Sequence, residues 1–217
     1  MARKNDRLTP SGSVLVLSGP SGAGKSTVCA ELLSQEPDLS FSVSCTTRPP
    51  RAGERDGREY HFLSETRFRE YEAQEAFLES AVVHGHRYGT LLHDVEAGIA
   101  DGRSVLLDID VQGARQIRER TRDTQLAAHC VFVFLGPPSR SELERRLRSR
   151  GTEEEEVIAA RLRTAKSELA AWREYEYLVV NDRVEAAVSR LQAVLRSAAC
   201  APSRYVRAPW EDEEPEI

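Results

Sequence analysis

Cysteine is scarce in this 217-residue sequence, and no long hydrophobic run occurs in it. The four cysteines lie far apart and form no CxxC pair, which favours reduced thiols over a disulfide framework or a zinc site. No apolar run approaches the ~20 residues that cross a bilayer, and residues 1–12 lack the apolar stretch of a signal peptide. We therefore expect a cytoplasmic protein that does not bind membranes.

A strong charge of one sign is also missing from most of the chain. Acidic residues outnumber basic residues by 35 to 30, which gives a formal net charge of −5. Five of the acidic residues stand among the last seven positions, so the rest of the chain is neutral. Because the rest of the chain is neutral, an overall positive charge that would attract nucleic acid is excluded, whereas a local anion-binding site is not. The 40% hydrophobic and 30% charged composition is typical of a folded globular protein.

Short apolar runs alternate with helical patterns along the chain. Continuous apolar runs suit strands that are buried on both faces of a parallel sheet. Four such runs predict strands, at residues 13–18, 104–109, 130–135 and 177–180. Apolar residues at helical spacing predict helices at residues 25–35, 111–120, 139–150, 153–173 and 184–199. The alternation predicts an α/β fold with a central parallel sheet flanked by helices. Residues 41–88 break the rhythm and predict a small mixed insert with one helix near residues 65–76.

Residues 19–26, GPSGAGKS, fit the phosphate-binding pattern G-x-x-x-x-G-K-[ST] between a predicted strand and a predicted helix. Glycines let backbone N–H groups turn toward phosphate oxygens, and the helix N-terminus adds a partial positive charge. Lys25 can reach the outer phosphates, and the Ser26 hydroxyl can ligate Mg²⁺. The motif, or P-loop, predicts a site for a nucleoside triphosphate.

Two carboxylates, Asp108 and Asp110, stand at the end of the second apolar run. Parallel α/β sheets bind their ligands at this end of the strands. A carboxylate there can hold Mg²⁺ or its water ligands. The alternative is that the two aspartates are turn residues that bind no ligand. Their position next to an apolar strand argues against this alternative.

Residues 44–54, SCTTRPPRAGE, combine hydroxyl groups with two arginines. Pro49 and Pro50 stiffen the segment between Arg48 and Arg51, so the two guanidinium groups can be held apart. Guanidinium groups match phosphate oxygens in pairs, which indicates a second anion site. Loop arginines that are only solvated remain the alternative.

Taken together, these segments resemble the guanylate kinases. The matching segments are GPSGAGKS at residues 19–26, SVSCTTRPPRAGE at 42–54, GREYHF at 57–62, FLES at 77–80, GHRYGT at 85–90, LLDIDVQG at 106–113, RLRSRGTEEEE at 146–156 and VVND at 179–182. The resemblance implies a P-loop NTPase fold with a GMP-binding insert and a mobile lid. It also implies transfer of the γ-phosphoryl group of ATP to GMP, with Mg²⁺ as cofactor.

The resemblance further implies roles for individual residues. ATP would be bound by Gly19, Pro20, Ser21, Gly22, Ala23, Gly24, Lys25, Ser26, Thr27, Arg146 and Asn181. GMP would be bound by Ser44, Arg48, Arg51, Tyr60, Glu79, Tyr88, Thr90 and Asp108. Mg²⁺ would be held, partly through water, by Ser26, Asp108 and Asp110. The catalytic residues would be Lys25 and two arginines of the lid region, Arg150 and Arg161.

The same resemblance divides the chain. Residues 10–43 with the P-loop, 93–138 and 158–200 would form the core, 44–92 the GMP-binding insert, 139–157 the lid region and 201–217 a disordered tail. Cys45 departs from the family pattern, in which a hydroxyl residue is common, and redox regulation of its thiol is left open.

Guanine carries two donors, N1–H and the N2 amino group, beside the acceptor O6. The Glu79 carboxylate can accept from both donors, and the Thr90 hydroxyl can donate to O6. Adenine has an acceptor at N1 and no N2 amino group, so Glu79 would face a lone pair at a cost of several kcal/mol. The pair therefore favours GMP over AMP and argues against a kinase for another monophosphate.

A catalytically inactive binding module of the guanylate kinase type is the alternative to an enzyme. Such modules characteristically lack an intact P-loop. This chain retains Lys25, Ser26, Glu79 and Asp108, which favours an enzyme.

Overall fold

The computed structural model describes residues 11–83, 85–149 and 155–205. The strands in these ranges are β1 Val14–Ser18, β2 Leu39–Phe41, β3 Cys45–Thr46, β4 His61–Phe62, β5 Phe77–Val83, β6 His86–Leu91, β7 Ser104–Asp108, β8 Cys130–Gly136 and β9 Tyr177–Val180. The α-helices are α1 Lys25–Gln35, α2 Glu65–Ala73, α3 Leu92–Ala100, α4 Val111–Thr121, α5 Arg140–Arg148, α6 Glu155–Ala170 and α7 Val184–Ala199. Of the helices in the described ranges, none has both the length and the apolar character that crossing a membrane requires.

Five strands form a parallel sheet in the order β2-β7-β1-β8-β9. Strand β1 lies at the centre, where Val14 pairs with Val105 of β7 on one side and with Cys130 of β8 on the other. Alternate residues of β1 pack against α1 and α7 on one face and against α3 and α4 on the other. Every residue of β1 is buried, because helices cover both faces of the sheet.

Four further strands form a smaller mixed sheet, the second sheet, in the order β4-β3-β6-β5. Strands β5 and β6 are antiparallel, and β3 lies antiparallel to β6 and parallel to β4. Helix α2 covers this sheet and stacks Phe68 on Phe77 of β5, with ring centroids 4.4 Å apart. The second sheet is built from the stretch that the sequence predicted as a mixed insert.

The predicted α/β architecture is confirmed. The four predicted strands correspond to β1, β7, β8 and β9, and the five helices predicted outside the insert correspond to α1, α4, α5, α6 and α7. Strand β2 and helix α3 were not predicted. Strand β2 has no apolar run, because its one buried residue, Leu39, is followed by the polar Ser40 and the exposed Phe41. Residues 201–205 were assigned to the disordered tail, but they contain a 3-10 turn, Pro202–Arg204, in which Arg204 is buried. The rest of that tail, with its acidic residues, lies outside the described residues.

Candidate active site

The P-loop and the two aspartates lie at one edge of the parallel sheet. Leu17 of β1 is in register with Asp108 of β7, the last residue of that strand. The segments that follow β1 and β7 therefore leave the sheet side by side. This edge, at the carboxyl ends of parallel strands, is where α/β sheets bind ligands.

Glycines give the P-loop its shape. Gly24 has a φ of 91°, and a Cβ atom there would lie 2.5 Å from Nδ2 of Asn181. Gly19 has a φ of 150°, and its Cβ would lie 2.2 Å from the carbonyl oxygen of Leu135. A side chain at either position would meet both backbone strain and a steric clash, so the tight loop requires glycine.

Lys25, the first residue of α1, folds back over the P-loop. Its Nζ atom donates a hydrogen bond to the carbonyl oxygen of Gly19 at 2.7 Å. Burial raises the pKa of the Asp108 carboxyl, and the charge of Lys25 partly offsets that rise. A cation and a half-buried carboxylate thus lie together at the loop.

Two of the residues predicted near ATP, Arg146 and Asn181, contact the main chain of the P-loop. Asn181 is 4% exposed and donates from Nδ2 to the carbonyl oxygen of Ala23 at 2.7 Å. Arg146 reaches the same carbonyl at 3.4 Å and donates to the carbonyl oxygen of Asn181 at 3.0 Å. Glu142 accepts from Nε of Arg146 at 2.7 Å and so orients the guanidinium group.

Glu168 of α6 is a contact of the P-loop that sequence reasoning missed. Its Oε2 atom accepts from the backbone N–H of Ser21 at 3.3 Å. Burial raises the pKa of Glu168, and the Ser21 N–H and the charge of Lys25 oppose that rise. The sequence gives one signal for this contact, because Glu168 stands beside Ala165 and Leu169 on the apolar side of the predicted helix.

Asp110 is the N-cap residue of helix α4. Its Oδ1 atom accepts from the backbone N–H of Gly113 at 2.7 Å, which caps the helix N-terminus. Ser26 lies exposed in the first turn of α1, on the same edge of the sheet. Within the described ranges, no cluster of three or more His, Cys, Asp or Glu side chains is arranged to hold a metal ion by itself.

Glu79 and Thr90 form a buried polar pair in the second sheet. The two residues are register partners on β5 and β6, and Oγ1 of Thr90 donates to Oε1 of Glu79 at 2.7 Å. Glu79 is 8% exposed, and this burial raises its pKa to about 6. The Thr90 hydroxyl opposes the rise, whereas the nearby charge of Asp110 adds to it.

Arg48, Tyr60 and Tyr88 form a second cluster in the same sheet. The Arg48 guanidinium lies over the Tyr60 ring, 5.3 Å from its centroid, and the two tyrosine rings meet edge to face at 5.8 Å. Glu54, which the sequence did not predict, accepts two hydrogen bonds from Arg48 at 2.9 and 3.0 Å. The bidentate pair holds the pKa of Glu54 below its ordinary value.

Two other predicted residues, Arg51 and Ser44, border this cluster. Arg51 is exposed, and its backbone N–H donates to Oε2 of Glu54 at 2.7 Å. Ser44 is half-buried beside β3, and its carbonyl oxygen accepts from the N–H of His61 at 2.9 Å. All of the predicted GMP residues except Asp108 therefore lie in the strands of the second sheet or in the loops next to them.

The two predicted lid arginines differ in what the structure describes. Arg161 is half-buried on α6, about two helical turns before Glu168. Arg150 lies outside the described residues.

Cys45 is fully buried in the small core of the second sheet. Burial raises the pKa of its thiol to about 12, and the charges of Asp94 and Asp56 raise it further. The thiol is therefore protonated and shielded near neutral pH, which argues against the redox regulation left open above.

Comparison with known proteins gives a consistent result. A family model described as guanylate kinase matches residues 11–198. The guanylate kinase of Sphingopyxis alaskensis is 47% identical over 195 residues, which cover 90% of this chain and 86% of that protein. The guanylate kinase of Clostridium perfringens is 42% identical over 214 residues, which cover 99% of this chain and 94% of that protein. The crystal structure of guanylate kinase from Anaplasma phagocytophilum has a TM-score of 0.74 at 34% identity and covers 93% of each chain.

Proposed function

The chain belongs to the guanylate kinase family and acts as a guanylate kinase, and we propose how its residues divide the transfer of a phosphoryl group from ATP to GMP. In this proposal the P-loop binds ATP, the second sheet binds GMP, and the products are ADP and GDP. One observation carries the proposal: a glycine-shaped P-loop and the buried Glu79–Thr90 pair occur in the same molecule. The first suits a triphosphate, and the second suits a guanine edge.

The ATP site consists of residues 19–27. Loop N–H groups and the N-terminus of α1 would hold the phosphates. Lys25 can exchange its hydrogen bond to Gly19 for one to a phosphate oxygen, because the acceptor is a neutral carbonyl and the phosphate is charged. Arg146 and Asn181 hold the carbonyl of Ala23 and so keep the loop in shape for the nucleotide.

The oxygen groups near the P-loop fit Mg²⁺. This ion takes few protein carboxylates and keeps water and substrate phosphates as its other ligands. Ser26, Asp108 and Asp110 would hold it, partly through water, and one oxygen of Asp110 is already engaged by Gly113. When bound, Mg²⁺ neutralises charge that develops on the phosphate groups.

The GMP site has a phosphate end and a base end. Arg48, Arg51, Tyr60 and Tyr88 would hold the phosphate, and Arg48 is already oriented by Glu54 and by the Tyr60 ring. Ser44, Glu79 and Thr90 would bind the guanine, with Glu79 accepting from N1–H and the N2 amino group. Thr90 can donate to only one oxygen at a time, so contact with O6 would require its hydroxyl to leave Glu79.

Asp108 links the two sites. The charge of Lys25 acts on Asp108, and the charge of Asp108 acts in turn on Tyr60 of the second sheet. In this proposal Asp108 would lie between the acceptor nucleotide and the metal-bound triphosphate. Arg161, and Arg150 beyond the described ranges, would clamp the transferring group when the lid closes and expels water.

The proposal includes a cytoplasmic location and nucleotides as the partners. Free buried thiols at Cys29 and Cys45 are typical of reducing compartments. The near-neutral charge of the body supports the expectation that nucleic acid is not a partner.

A coupled assay of ADP release tests the function directly. With Mg-ATP present, we expect rapid turnover of GMP and little turnover of AMP, CMP or UMP. Lys25→Ala should reduce kcat by at least about 100-fold with an unchanged melting temperature, since Lys25 acts on phosphates and not in the core. Equal rates with AMP, or GMP binding without GDP formation, would contradict the proposal, and the second result would favour a binding module.

A further inference from the structure

Helix α4 of the core presents one row of residues to the second sheet. Its members, Gly113, Gln116 and Arg120, are spaced by three and four residues and so lie on one face of the helix. Arg120 donates to the main-chain carbonyl of Glu75, just before β5. The other two members approach β5 itself. Gly113 lies against Glu79, which faces the guanine in the function proposed above, and Gln116 contacts the next residue, Ser80.

Gln116 binds the main chain of β5 with both ends of its side-chain amide. The N–H of Ser80 donates to Oε1 of Gln116 at 3.1 Å, and Nε2 of Gln116 donates to the carbonyl oxygen of Ser80 at 2.9 Å. Among the described residues, β5 is an edge strand with β6 on one side only. Gln116 thus satisfies the outward groups of Ser80 as a neighbouring strand would, and it fixes the position of β5 one residue after Glu79.

Gly113 sets how closely α4 approaches the carboxylate. A Cβ atom at Gly113 would lie 3.0 Å from Oε2 of Glu79 and 3.4 Å from its Cδ. Thr90 holds the other oxygen of Glu79, and the Asp110 cap fixes the N–H of Gly113. The Glu79 side chain is therefore confined between β6 and the first turns of α4.

We propose that Gln116 is a positioning residue for base recognition: by binding Ser80 it holds β5 against α4, so that the confined Glu79 carboxylate meets the guanine edge. The inference rests on the proposed role of Glu79. It extends base selection from the second sheet to a helix of the core, through a residue that does not touch the nucleotide.

The test is the ratio of kcat/KM for GMP to kcat/KM for AMP in Gln116→Met. Methionine keeps the unbranched shape and removes both hydrogen bonds. We expect the GMP-to-AMP ratio to fall by about 3- to 30-fold, the effect of losing one to two neutral hydrogen bonds, with KM for ATP within about twofold of wild type. Gln192→Met is the matched control: Gln192 is half-buried on α7, donates to Oε1 of Gln35 and should leave the ratio unchanged when replaced.

A purely structural glutamine would lower the melting temperature and leave the ratio unchanged, and that result would overturn the proposal. Gly113→Ala provides a second test in case the Gln116 variant does not fold. This variant should fold, because alanine favours a helix more than glycine does. Its methyl group must displace the Glu79 carboxylate, so we expect a reduced ratio without a loss of stability. A Gly113→Ala protein with the wild-type ratio would also count against the proposal.

Glu79→Gln, measured in parallel, separates this inference from the proposed function. If Glu79→Gln leaves the ratio unchanged, the proposed role of Glu79 is wrong. If Glu79→Gln lowers the ratio but Gln116→Met does not, only the inference about Gln116 is wrong. If Gln116 acts through Glu79, the double variant should lose at most about twofold more selectivity than Glu79→Gln alone.

Discussion

Glu79 is a buried carboxylate, and within the described residues Thr90 is the one side chain that hydrogen-bonds to it. Thr90 satisfies one of its oxygens, and none of the described groups that shift its pKa is a cation. A buried carboxylate of this kind is costly in the free protein and valuable when two donors are presented to it. Its chemistry can be separated from its effect on stability by two measurements on one variant.

The first measurement is base selectivity. Glutamine at position 79 offers one acceptor oxygen, and its NH₂ group opposes one of the two guanine donors. We expect kcat/KM for GMP to fall by about 10- to 150-fold, the value of one charge-assisted hydrogen bond, while AMP loses less or gains. Steady-state kinetics with both nucleotides check this. A parallel fall for GMP and AMP would mean that the base is recognised elsewhere.

The second measurement is the free energy of unfolding against pH. Burial raises the pKa of Glu79 from its ordinary value of 4.5 to about 6, so the folded chain binds this proton more tightly than the unfolded chain. Glu79 therefore lowers stability as pH rises from about 4.5 to about 6, by roughly 2 kcal/mol once the carboxyl is ionised. Without nucleotide, Glu79→Gln should be more stable than wild type by roughly 1–2 kcal/mol at pH 8 and about equal to it below pH 4.5.

Urea denaturation at several pH values provides that measurement. Glu96→Gln, at an exposed position on α3, is the control and should follow the wild-type pH dependence. An equal difference between Glu79→Gln and wild type at pH 4 and pH 8 would show that the ionisation of Glu79 does not affect stability.

At the scale of elements, the proposed function assigns GMP to the second sheet and ATP to the P-loop. Arg48 is anchored within the second sheet by Glu54 and Tyr60, so its loss should affect GMP alone. We expect Arg48→Ala to raise KM for GMP by about 10- to 100-fold, as for one lost charge-assisted contact, and to leave KM for ATP within about twofold.

Arg58→Ala is the matched control, since Arg58 is an arginine of the same loop with a side chain that is 70% exposed. It should leave both KM values near wild type. If Arg48→Ala changes KM for ATP more than KM for GMP, the two nucleotides have been assigned to the wrong sites.

The elements that the sequence predicted are those whose pattern is local. The P-loop is a contiguous motif, and β1, β7 and β8 are continuous apolar runs. The missed contacts join distant positions: Gln116 and Ser80 are 36 residues apart, and Glu168 and Ser21 are 147 apart. These contacts depend on how α4 and α6 pack, and packing leaves no fixed spacing in the sequence. The residues alone indicated an anion site at Arg48 and Arg51, whereas the other GMP residues were reached through a family resemblance.

At the scale of the whole molecule, the proposed chemistry lies at the carboxyl ends of the parallel strands, and a set of stabilising contacts lies at their opposite ends. Gly12 and His129 precede β1 and β8, at the edge remote from the P-loop. Arg204, 3% exposed, donates to the carbonyl oxygens of both at 3.3 and 3.0 Å. Ser11 in turn donates to the carbonyl oxygen of Arg204, so the two ends of the folded body are joined there.

Arg204→Ala should therefore destabilise the molecule without changing its catalysis. The substitution removes one donor from each carbonyl group, although that of Gly12 keeps its contact with Nδ1 of His129 at 2.8 Å, and it opens a space at the edge of the sheet. We expect a cost of about 2–4 kcal/mol. For a chain of this size, the melting temperature should fall by roughly 4–15 °C. At temperatures where the variant is folded, kcat/KM for GMP and for ATP should match wild type.

Arg196→Ala is the control, because Arg196 is an exposed arginine on α7, and it should change neither the melting temperature nor kcat/KM. A loss of kcat/KM in folded Arg204→Ala would mean that the two edges of the sheet are coupled, because Arg204 contacts nothing at the P-loop edge through its hydrogen bonds in the described structure.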